Sequence, residues 1–168
     1  ESNKFKTAGG STGAFGNFST TLYTGDGSTQ TINTGIDNTG NSLVWLKSRT
    51  NTRNHHLFDT KRGTGLYLNS NLAADQTTSA ETVSSFDSDG FTLGNSPFTN
   101  AVSENFVAWN FAAAPGFFDV VEYDGGPDDA AEIPHNLGIA PGLIIARPYD
   151  AGSDWYVEHK DTTPNELK

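Results

Sequence analysis

Three blocks of this 168-residue chain recur in the same order about a hundred residues further on, and this repeat limits the fold more than any other feature. "LYTGDGSTQTINTGI" (22–36) returns as "EYDGGPDDAAEIPHNLG" (122–138), "SLVWLKSR" (42–49) as "GLIIARPY" (142–149), and "HLFDTK" (56–61) as "WYVEHK" (155–160). The offsets read 100, 100 and 99, matching Tyr23 to Tyr123, Lys47 to Arg147 and Lys61 to Lys160. The second copy stops before any counterpart of "FDSDGFTLG" (86–94) or "FVAWNF" (106–111). The chain therefore divides into a Gly-rich extended arm over 1–17, a first unit over 18–116, and a partial second repeat over 117–168. That partial repeat is expected to pack on the first unit or on a neighbouring subunit.

Each unit reads as β-structure. Turn-forming Gly, Asn, Ser and Thr separate short apolar runs, and no stretch has the spacing of an amphipathic helix. Apolar residues make up 35%, but eleven Phe, five Tyr and three Trp concentrate that content in large side chains able to fill a core. "NFVAWNFAAA" (105–114) places Phe106, Ala108 and Asn110 on one strand face and Val107, Trp109 and Phe111 on the other. In "FDSDGFTLG" a tight turn sets Phe86 and Phe91 on adjoining strands, and Gly90 and Gly94 let the backbone reverse or bulge. The fold expected is all-β, an antiparallel β-sandwich with an incomplete second repeat whose open sheet edge favours pairing with a neighbour.

No run of about 18 apolar residues is present, so no membrane insertion by a helix is expected. The chain begins at Glu1 and reads as a processed protein or a piece of a longer one. Without cysteine there is neither a disulfide framework nor a thiol nucleophile. The net charge of −10 is uneven: residues 1–62 hold seven Lys/Arg against four Asp/Glu, and residues 63–168 three against sixteen. Such a surface repels nucleic acid, while the basic group Lys47, Arg49, Arg53, Lys61 and Arg62 suits an interface with an acidic partner, including a second copy.

"SLVWLKSRTNTRNHHLFDTKRG", "SFDSDGFTLGN", "FVAWNFAAAPGFFDVVEYDG" and "IPHNLGIAPGLIIARPYDAGSDWYVEHKD", taken in order over residues 38–161, resemble repeats in tailed-phage virion proteins of the tail-fibre or appendage type. The resemblance implies a jelly-roll or concanavalin-like sandwich with no catalytic residues to carry over. It implies a non-enzymatic structural protein of the virion, assembled in the host cytoplasm and extracellular in the finished particle, whose partners are itself and other virion proteins. The alternative is a carbohydrate-binding module for a host surface glycan.

The remaining polar clusters read as structure. His55 and His56 are neighbours on a strand and point to opposite faces, so they cannot readily share a metal. Asp87 and Asp89 in "DSDG" resemble a fragment of a calcium loop but lack the third carboxylate and distal Glu, so no metal or cofactor is assigned and calcium stays a weak candidate. Asp124, Asp128 and Asp129 form a second acidic loop of the same kind. Among the aromatics Tyr67, Phe98, Trp155 and Tyr156, taken as loop residues able to stack on a sugar ring, Trp155 and Tyr156 are kept as glycan-binding candidates.

Overall fold

A computed structural model describes residues 16–125 and 132–162. The arm expected over 1–17 thus lies almost wholly outside the described residues, as do Asp128 and Asp129. Eleven strands and one helical turn follow in chain order: β1 (Phe18–Thr24), β2 (Gln30–Asn33), β3 (Ser42–Ser48), β4 (His56–Asp59), β5 (Leu66–Tyr67), β6 (Thr77–Thr78), β7 (Val83–Asp87), β8 (Gly90–Leu93), α1 (Pro97–Asn100), β9 (Asn105–Ala112), β10 (Leu143–Ala146) and β11 (Tyr156–His159).

Two antiparallel sheets build the sandwich, one ordered β1-β9-β3-β4 and the other β2-β8-β7, with small hairpins β5-β6 and β10-β11 beside them. The core lies between them: Tyr23, Val44, Leu46, Phe58, Phe106 and Ala108 from the first sheet meet Ile32, Val83, Phe91 and Leu93 from the second. Phe58, Phe91 and Phe106 are fully buried, each worth about 1.5–3 kcal/mol of apolar burial. Phe86 stands opposite Phe91 across the β7-β8 turn, and β9 divides its faces as its alternation requires. The core also holds a polar pair. Asn38 and Asn110, both fully buried, join through reciprocal amide hydrogen bonds of 3.3 and 2.8 Å.

Among the described residues of the expected second repeat the paired structure is one hairpin, and its register revises the alignment of the third block. β3-β4 pairs Leu43 with Asp59, Val44 with Phe58, Trp45 with Leu57 and Leu46 with His56. β10-β11 pairs Leu143 with His159, Ile144 with Glu158, Ile145 with Val157 and Ala146 with Tyr156. Every position is displaced by 100, so His56 corresponds to Tyr156 and Thr60 to Lys160; the offset of 99 that matched Lys61 to Lys160 is overturned. Thr60 N–H donates to Ser42 O at 3.1 Å, and Lys160 N–H donates to Gly142 O at 3.0 Å in the same way. Hydrogen-bond phase fixes register, and the terminal lysine that guided the sequence match lies beyond the paired residues.

Candidate functional site

The sheet β1-β9-β3-β4 is apolar on both faces, and its outer face is the first candidate surface. Cross-strand register aligns Phe18, Phe111 and Leu43 in one row, Thr20, Trp109, Trp45 and Leu57 in the next, and Leu22, Val107 and Lys47 in a third. Phe18 meets Phe111 at 4.7 Å between ring centroids, and Trp45 meets Trp109 edge-on at 5.7 Å. Phe118 then caps Phe111 at 5.3 Å. Phe18, Leu22 and Phe117 remain exposed. The sequence alternation already set Trp109 and Phe111 on the β9 face opposite Phe106, and the apolar runs in β3 and β9 are the pattern of strands covered on both sides.

"NHHLFDT" borders this face. His55 points outward, and its Nδ1 accepts the Trp45 indole N–H at 2.9 Å, so this nitrogen is unprotonated. Burial, followed by the nearby Lys47 charge, lowers the His55 pKa. His56 points inward, where its ring packs on Tyr67 at 4.9 Å and Phe58 at 6.4 Å. Tyr67 is therefore a core residue, not the exposed loop aromatic expected, because β5 turns it under the sheet. Phe98 is exposed, with the Arg53 guanidinium 5.7 Å from its ring centre.

The five cations grouped by sequence separate by role. Arg53 pairs with the buried Glu104 at 3.0 Å, and Arg62 pairs with Asp59, both side chains under 9% exposed. Lys47 donates to the carbonyls of Ser48 and Asn51 at 2.7 and 3.4 Å, closing the loop after β3. Arg49 and Lys61 face solvent. Asp87 accepts the hydroxyls of Ser85 and Thr92, both at 2.8 Å, and Asp89 is exposed in the turn. Among the described residues no three His, Asp or Glu side chains converge as a metal set.

Trp155 seats the β10-β11 hairpin on the first unit. Its indole N–H donates to Asn69 O at 3.1 Å, and the Arg147 guanidinium stacks 5.0 Å from the ring centre while donating to Leu72 O and Ala74 O at 3.0 and 2.6 Å. Trp155 and Asp154 border an open cleft of about 240 Å³ with Ser70, Asn71, Leu72 and Ala73. Tyr156 lies outside it, 46% exposed. The hairpin forms the second candidate surface: Leu143, Ile144 and Ile145 are 54, 45 and 55% exposed, so neither of its faces is covered among the described residues.

These features define a class: an antiparallel β-sandwich module followed by a β-hairpin whose register matches that of β3-β4 at an offset of 100 residues. The family model described as "Domain of unknown function (DUF7483)" matches residues 14–168, and the chain belongs to that family. No curated protein and no solved structure matches the chain.

Proposed function

We propose that the chain is a non-enzymatic structural module of a bacteriophage virion, of concanavalin-like topology, working in a tail fibre, appendage or decoration through repeated units that join by sheet edges, aromatic faces and charge. The observation that carries this reading is the second hairpin. It keeps the strand pairing of the first unit residue for residue, yet leaves its apolar side chains open, as a module awaiting further β-structure does. The buried ionisable groups also serve the fold: His56 packs in the core, and Asp59 and Glu104 hold arginines. In this reading the module is assembled in the host cytoplasm and is extracellular in the mature particle, with other virion proteins and its own copies as partners. Mass spectrometry and immunogold labelling of purified particles, from a phage encoding the chain, test the assignment. The expected result is the chain in stoichiometric copy number on the particle, and its absence from particles overturns the reading.

One observation favours a glycan-binding reading instead, the cleft bounded by Trp155, Asp154 and Asn71. Here Asn71→Ala and Asp154→Ala are the informative variants, because Trp155→Ala also unseats the hairpin. Binding on a glycan array that both variants abolish, without loss of folding, would support it.

A further inference from the structure

In the first unit β3 is paired on both sides, and the hydrogen bonds alternate. Thr60 N–H reaches Ser42 O, so even-numbered residues of β3 bond β4. Ala113 N–H reaches Asn41 O at 2.8 Å and Arg49 N–H reaches Asn105 O at 2.7 Å, so odd-numbered residues bond β9. β10 repeats this phase, since Lys160 N–H reaches Gly142 O and its even-numbered residues serve β11. The N–H and C=O groups of Leu143 and Ile145 therefore point to the other edge, where no strand pairs among the described residues.

A second observation concerns "FDVVEYD" (118–124), which stands 100 residues after β1 and is rich in strand-forming residues. Its ladder is limited to one bridge, Phe118 to Ala114, and Val121 and Tyr123 are 37 and 51% exposed. β1 in the first unit pairs with β9 alone. The β1 counterpart is unpaired for the same reason that the β10 edge is open: both require a strand at the β9 position.

We propose that β10 is a strand acceptor, whose free edge takes an extended polypeptide segment with the apolar alternation of β9 and basic flanks, antiparallel and in the register in which β3 takes β9. The pattern follows from the faces the segment must cover, Ile144 and Tyr156 on one side, Leu143 and Ile145 on the other. The basic flanks follow from charge complementarity. The described residues from 117 to 162 hold eight acids against two bases, and one of those bases, Arg147, is already engaged with Trp155 and two carbonyls. The proposal deepens the edge-pairing part of the assembly reading and rests on it, but not on where the assembly occurs.

The test uses the whole chain and a synthetic peptide of the β9 sequence, residues 105–112, with two lysines added at each end. Amide hydrogen exchange is read residue by residue at low salt. The amides of Leu143 and Ile145 should slow by about tenfold or more, while Ile144, already bonded to β11, changes little. The same peptide with proline at its centre should give no protection, and aspartate flanks should weaken binding by about tenfold. Ile145→Lys should abolish the effect while leaving the β11 hydrogen bonds intact. No slowing at Leu143 and Ile145 overturns the proposal, as does equal protection by the proline or aspartate peptides. Protection that appears without peptide as protein concentration rises also overturns it, because a second copy is then the occupant. Absence of the chain from particles, with the peptide still bound, would sink the virion reading and leave the acceptor edge standing.

Discussion

His56 is 3% exposed, and burial pushes its imidazole down to about 4, with the neighbouring His55, Lys47 and Arg53 charges adding to the shift against a backbone hydrogen bond. Glu104 moves to about 2: burial would raise it, but hydrogen bonds from Arg53, Ser48 and Asn51 and the Arg53 charge outweigh that effect. Between the ordinary histidine value and 4 the unfolded chain binds a proton that the folded chain refuses, so stability falls as pH drops through this window. The integrated loss is roughly 3 kcal/mol. Glu104 acts below it, contributing stability above about 4.5 that is lost towards 2. Denaturant titrations of the native chain and His56→Phe should show a stability difference that widens by about that amount from pH 7 to pH 4; parallel curves would refute the assignment. Lys61 and Arg62, adjacent in sequence, should behave differently as well. Arg62→Ala breaks a buried pair with Asp59 and should cost about 2–4 kcal/mol, whereas Lys61→Ala, on the exposed side of the turn, should change stability by less than about 0.5 kcal/mol.

At the scale of elements, the β7-β8 turn depends on Gly90. Its φ is +141°, and a Cβ there would lie 2.0 Å from the Ile32 carbonyl oxygen, which belongs to the paired strand β2. Gly90 O also accepts the Asn38 amide at 2.7 Å, linking the turn to the buried Asn38–Asn110 pair. Gly90→Ala should therefore cost about 3 kcal/mol or more in thermal or denaturant unfolding, while Gly40→Ala, with nothing within 4 Å, should fall within about 0.5 kcal/mol of the native chain. This turn was legible in the sequence because alternation, Asp and Gly coincide in "FDSDGF". β9 and the opposed faces of His55 and His56 were legible for the same reason, a strict period of two. What sequence hid depends on distant partners. The Arg53–Glu104 pair spans 51 residues, and "FDVVEYD" has strand propensity without a strand to bond. The third repeat block also slipped by one residue, since Glu158 stands where Phe58 does and no side-chain likeness marks the true register.

For the whole molecule, the division between the two units is one of cohesion. Every residue of the buried apolar cluster lies between Tyr23 and Ala108, and none comes from the second repeat. Beyond Phe117 and Phe118, which pack on Phe111, that repeat is held mainly by polar contacts: Asn41 to Asp119 and Val120 O, Gln76 N–H to Tyr149 O at 2.7 Å, Arg147 to two carbonyls, and Trp155 to Asn69 O. Hydrogen bonds of this kind contribute about 0.5–1.5 kcal/mol each, and a hairpin of four-residue strands adds little of its own in water. The second repeat should then open locally while the sandwich stays closed. Native-state hydrogen exchange should give the amides of β10 and β11 an opening free energy several kcal/mol below that of β3 and β9. Truncation after Asp124, which retains Phe117 and Phe118 over the outer aromatic face, should leave the unfolding free energy of the sandwich within about 1 kcal/mol of the full chain. A single cooperative transition in which β10, β11 and β9 exchange together, or a truncated chain that fails to fold, would mean that the second repeat is integral to the sandwich and not the opening of a separate unit.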